Sequence, residues 1–220
     1  MTGYNPAPEQ TVEEILGDVN SLAAQIGSTD GLVATTHEAG AQIFRRVMNL
    51  RSLREFLRYY HSRILVPIEL PTIHQAYQHA NAYQVRELMD LDRRIVSEPM
   101  PQCFAAASCH IGKSQLKRLR PLRDQRLLQR YLAAVQSGKA HGWHTVVHGL
   151  ILSLYSLPLR PGLLNYARQT TRGFIESSGR RLRLSEIQCR DLAAETGSDL
   201  AEMVNQLLHD GCGETIALTP

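Results

Sequence analysis

No stretch of this 220-residue chain approaches the roughly 18 to 20 consecutive apolar residues that would cross a bilayer. Met1 to Gln10 shows no basic patch followed by an apolar one, so no secretory pattern is visible and a cytoplasmic location is expected. The four cysteines, Cys103, Cys109, Cys189 and Cys212, form no C-x-x-C pair. Their spacing fits neither a small disulfide scaffold nor a zinc ribbon, and reduced, mostly buried thiols follow. Cys109 and His110 are adjacent candidate ligands with no second pair behind them.

Catalytic signatures are missing as well. The chain has no G-x-x-x-x-G-K-[ST], no G-x-G-x-x-G and no G-x-S-x-G. Gly112-Lys113-Ser114 copies the end of a phosphate loop, but Ala107 stands where the upstream glycine is required. Ser108, Cys109 and His110 are sequence neighbours, which is not how a nucleophile and its base are presented to each other. These absences point to a protein that is not an enzyme and binds no cofactor tightly. No alternating β-branched run is long enough for a strand, and no internal repeat is found.

What is present is helical spacing. Thr11 and Glu14 form a T-x-x-E capping box before Val12, Ile15, Leu16, Val19, Leu22 and Ile26, and Gly27 to Gly40 reads as a loop. Ser52 and Glu55 form a second box before Leu53, Phe56, Leu57, Tyr60, Ile64 and Leu65, a helix expected to end at Pro67. Pro71 opens the next one. Further helices carry Val85 to Ile95, the region 102–137 (two helices broken near Pro121), and Trp143, Val146, Val147, Leu150, Ile151 and Leu154. Leu163 to Ile175 follow Pro158 and Pro161, and the last two helices fall near 184–196 and 199–209. The expectation is an all-α, single-domain bundle of roughly nine or ten helices with short loops over 1–220, with 1–10 and 210–220 as flexible tails.

Two constellations are candidates for chemistry. His141, His144 and His148 fall within about a 60° sector of one helix, beside the apolar face and not within it. The i, i+4 spacing of His144 and His148 suits nickel, zinc or copper. Packing at a helix or subunit contact competes with that reading. Between Lys113 and Arg130 lie seven cations (Lys113, Lys117, Arg118, Arg120, Arg123, Arg126 and Arg130) against the single acid Asp124. Such a patch suits a solvated face, an acidic protein or nucleic acid. No helix-turn-helix, zinc finger or RNA-binding signature accompanies the charge, which disfavours nucleic acid but leaves it as the alternative function.

The run from His144 to Glu195 resembles the carboxy-terminal half of the F-type urease accessory proteins. His144, Val146, Val147 and Gly149 match the family's pattern, followed by Leu163, Leu164, Tyr166 and Gln169, then Arg181, Leu182, Ile187 and Gln188. A weaker resemblance runs through SLREFLRYYHSRI, ELMDLDRRI and AAASCHIGKSQLKRL, so that about residues 50–195 are covered. The chain departs from the family in STDGLVATTHEAGAQ, where only a glycine (Gly31 or Gly40) and His37 remain of an amino-terminal signature, and at His148, where the family often has an aromatic residue. The resemblance implies an all-α homodimer that takes part in nickel-dependent urease maturation. It would bind the D-type (also called H-type) accessory protein and recruit the nickel-carrying GTPase to apo-urease, with nickel present only in passing. His144, Gly149, Tyr166, Arg181 and Gln188 become candidate partner-binding residues.

Overall fold

The computed structural model describes residues 47–98 and 102–213. The Thr11–Glu14 box, the helix after it and the 27–40 loop lie outside the described residues. Helix α1 (Leu50–Tyr60) starts three residues earlier than the Ser52–Glu55 box predicts. Asn49 is the cap. Its Oδ1 accepts the Ser52 N–H at 2.9 Å, while Ser52 Oγ accepts the Asn49 N–H at 3.1 Å. Glu55 is left to pair with Arg51 at 3.3 Å on the surface.

The expected break at Pro67 does not occur. A π-helical segment, His61–Glu69, carries the chain from α1 straight into α2 (Leu70–Asn81), giving one helical rod from Leu50 to Asn81. Proline disrupts an α-helix by clashing with the carbonyl four residues back and by lacking an N–H. A wider turn moves that carbonyl aside, so the rod passes Pro67 without stopping. Beyond it, Thr72 Oγ1 donates to the Ile68 carbonyl at 2.6 Å.

Helix α3 (Val85–Arg94) ends in a short 3₁₀ turn, Ile95–Ser97. Helices α4 (Gln102–Leu119) and α5 (Arg126–Gln136) flank the Pro121 turn, as the spacing predicts. Then come α6 (His144–Leu154), α7 (Leu159–Leu182), α8 (Glu186–Gly197) and α9 (Leu200–Gly213). The last helix runs to Gly213, into the segment expected to be a tail. Every regular element among the described residues is helical, and the protein is all-α.

Two buried clusters share the rod. One gathers α1, the π segment and the start of α2 with α7, α8 and α9, around Phe56, Tyr60, Phe174 and Leu200. The other gathers the end of α2 with α3 to α6, around Leu88, Leu128, Trp143 and Leu150. Helix α6 lies deepest, with every residue from His144 to Leu152 buried. Its closest neighbour is α2. Gly149 permits that approach, because a Cβ there would stand 2.5 Å from the Ile73 carbonyl oxygen and 2.7 Å from the Ala76 Cβ. Gly149→Ala is therefore expected to push α6 off the rod and cost about 2 kcal/mol, the usual scale of core overpacking. Urea unfolding checks this; an unchanged midpoint would mean that the rod yields without cost.

Candidate functional site

Helix α6 begins without a side-chain cap of its own. Asp92, fully buried on α3, supplies one from outside. Its carboxylate accepts the Gly142 N–H at 2.9 Å, the Trp143 N–H at 3.3 Å, the Tyr131 hydroxyl at 2.6 Å and the His141 N–H. Its backbone oxygen takes the Trp143 indole N–H at 2.9 Å, and Ser108 Oγ accepts the His144 N–H at 3.1 Å. A negative charge at the first turn of a helix meets both the unpaired N–H groups and the positive end of the helix dipole. Asp92 thus fixes where α6 starts. It also holds Gly142 in a left-handed conformation, φ +74°.

Deeper along α6 lies a second polar group. Tyr60 donates to Glu69 Oε2 at 2.6 Å, and both are buried in the rod. The Tyr166 ring, from α7, lies 5.8 Å from that of His144 and 5.0 Å from that of His148, and the two imidazoles are 5.9 Å apart. No ring nitrogen of either histidine has a hydrogen-bond partner. Burial lowers His144 to about 3, helped by its neighbour His148, and lowers His148 to about 4. Both imidazoles are neutral at pH 7. Glu69 moves the other way. Burial raises it to about 7, against the downward pull of the Tyr60 and Tyr166 hydroxyls. The Tyr166 hydroxyl is close enough to exert that pull without forming a well-aligned hydrogen bond. Burial also raises both phenols well above their usual value. Nearby, His61 Nε2 meets Thr171 Oγ1 at 2.7 Å.

The expected histidine stripe is thus divided. His141 precedes α6 and is itself exposed, between loop neighbours that are buried, whereas His144 and His148 are fully buried. They do not flank an apolar face, since this stretch of α6 is buried all round. Among the described residues no three His, Cys, Asp or Glu side chains gather as a metal would require. Cys109 and Cys189 are free, and burial raises the Cys109 thiol to about 11, far from the thiolate a metal binds. What this cluster can do is hold a proton on a buried carboxyl near neutral pH.

The candidate partner-binding residues divide similarly. His144, Gly149 and Tyr166 are interior. Arg181 lies near the end of α7, and Gln188 Oε1 accepts the Ser185 N–H at 2.9 Å in the box that starts α8. All seven cations between Lys113 and Arg130 are exposed. Asp92 and Glu69 escaped the sequence reading, although a signal existed. Each is an acid on an otherwise apolar stripe, Leu88-Leu91-Asp92-Ile95 and Leu65-Ile68-Glu69-Ile73.

Compared with known proteins, the chain matches the model of the UreF family over residues 47–213, about three quarters of its length. No curated protein matches the chain.

Proposed function

The chain belongs to the UreF family, and we propose on that premise that it is a scaffold in nickel-dependent urease maturation, holding the D/H-type accessory protein and recruiting the nickel-carrying GTPase to apo-urease. The family match over the whole described helical body carries this reading. The family's accessory role, assisting assembly without catalysing a reaction, agrees with the missing catalytic motifs. Nickel enters as the GTPase's cargo. Two copies of the chain would form the working unit, in the cytoplasm; no helix among the described residues is long and apolar enough to cross a membrane.

In this reading the interior candidates act through shape. His144, Gly149 and Tyr166 set how α6 sits against the rod and α7, and so set the surfaces offered to partners. Arg181 and Gln188 stand where α7 turns into α8, and Gln188 keeps that turn in place. A scaffold that holds two partners at once can couple one binding event to the other by differential affinity.

Purified chain mixed with the D/H-type protein, and then with the GTPase, should co-elute as a binary and then a ternary complex. A folded chain that binds neither would sink the proposal.

A further inference from the structure

The end of α2 is closed by a Schellman turn. Gln84 N–H reaches the His79 carbonyl at 2.8 Å and Tyr83 N–H reaches that of Ala80 at 3.1 Å. Such a turn needs a left-handed residue at its centre, and glycine is the usual occupant. The same bonding pattern recurs at three other helix ends, centred on Gly138 (φ +73°), Ser156 (φ +54°) and Arg183 (φ +53°). At the end of α2 the residue is Tyr83, φ +54°, a bulky side chain in a conformation that disfavours it. Its ring does not compensate by packing inside, because Tyr83 is 79 % exposed.

Tyr83 stands between two clefts. One, about 300 Å³, is formed with Asn81, Gln125, Leu127, Ser153 and Ser156. The other, about 600 Å³, is formed with Arg86, Glu87, Met89, Arg130 and Lys139. Arg86, Arg130 and Lys139 are exposed, and none is paired with a described carboxylate. Arg126 lies one turn from Arg130 on the same exposed face of α5, likewise unpaired. Like charges at i, i+4 repel. An exposed aromatic held at a conformational cost, beside unpaired arginines and between clefts, has the composition of an interface centre.

We propose that this surface, centred on Tyr83 with Arg86, Arg130 and Lys139 on its rim, docks an acidic face of one partner protein in the urease assembly. The inference rests on the family reading given above. A carboxylate-bearing protein surface fits these cations better than nucleic acid does. A single exposed ring offers no track for successive bases.

The test measures binding of the full chain to the purified D/H-type protein, the GTPase, apo-urease and a duplex DNA, each separately and at two salt concentrations. Tyr83→Gly and Arg130→Glu are expected to weaken one protein partner at least about tenfold, with that affinity falling as salt rises. Tyr83→Phe should retain it. Tyr83→Gly should also raise the melting temperature, by about 2 °C, since it removes the left-handed cost. A merely structural tyrosine would not lose binding while gaining stability. If all partners bind the unaltered chain and both substitutions leave every affinity unchanged, the inference is overturned and the family reading stands. If no partner binds the unaltered chain, the family reading fails and takes the inference with it. Loss confined to DNA would overturn the inference in favour of nucleic acid.

Discussion

Replacing Asp92 with alanine is expected to cost about 4 kcal/mol of folding stability, a large share of the 5–15 kcal/mol typical of a folded protein. The carboxylate serves four donors at once, and three of them, the Tyr131 hydroxyl and the Gly142 and Trp143 N–H groups, are buried. Alanine would leave them unpaired in a dry interior, where each orphaned donor costs about 1–3 kcal/mol. Guanidinium unfolding gives the magnitude. Trp143, the chain's single tryptophan, gives a local readout, because its ring is buried and its N–H is tied to the Asp92 backbone. Its emission should shift to the red in Asp92→Ala under conditions where helix content is retained. Tyr131→Phe removes one donor along with its need, so it should cost much less, and the double variant should be less destabilised than the sum. Strict additivity would mean that Asp92 and Tyr131 do not act together.

Glu69→Gln should stabilise the protein at pH 8, by about 3 kcal/mol, and change little near pH 4.5. The folded carboxyl keeps its proton to about pH 7, whereas in the unfolded chain it titrates near 4.5. Between those values the folded state holds one proton more than the unfolded state. Stability contributed by the protonated form is therefore whole below pH 4.5 and drains away as pH rises through 7. Each pKa unit is worth about 1.4 kcal/mol, which sets the scale. Glutamine cannot ionise, yet keeps an oxygen for the Tyr60 hydroxyl. The buried histidines act with the opposite sign. His61, His144 and His148 have lowered values, so the stability tied to their neutral forms is present above pH 6.5 and is lost as pH falls toward about 4. Thermal melts of both proteins from pH 4.5 to 8.5 would show the curves diverging upward through neutrality. Parallel curves would mean that Glu69 is ionised in the fold.

Helical periodicity made most of the fold legible. The stripe from Trp143 to Leu154, the Pro121 break and the last two helices all stand where spacing put them, because apolar faces and helix breakers act locally. The rod through Pro67 was not legible, since a rule about proline in an α-helix does not hold for a π turn. Nor was the burial of His144 and His148. Periodicity assigns polar residues to the wet side of a helix, and α6 has almost no wet side, having α2 and α4 against it and Tyr166 of α7 over its histidines. Asp92 and Glu69 were missed for the same reason. Their partners come from 39 to 51 residues away in one case and from the other end of a π segment in the other.

The order in which the two clusters use the chain bears on how the molecule assembles itself. The cluster around Trp143 draws only on residues 76 to 151. Apart from Ile111, the buried residues of the cluster around Phe56 join chain before that stretch to chain after it, with Arg54 meeting Glu195 at 2.8 Å across 141 positions. Loop closure costs more entropy the longer the intervening chain, so the inner cluster can condense first and shorten the path between the outer segments. The rod, belonging to both, is then the template on which α7, α8 and α9 settle last.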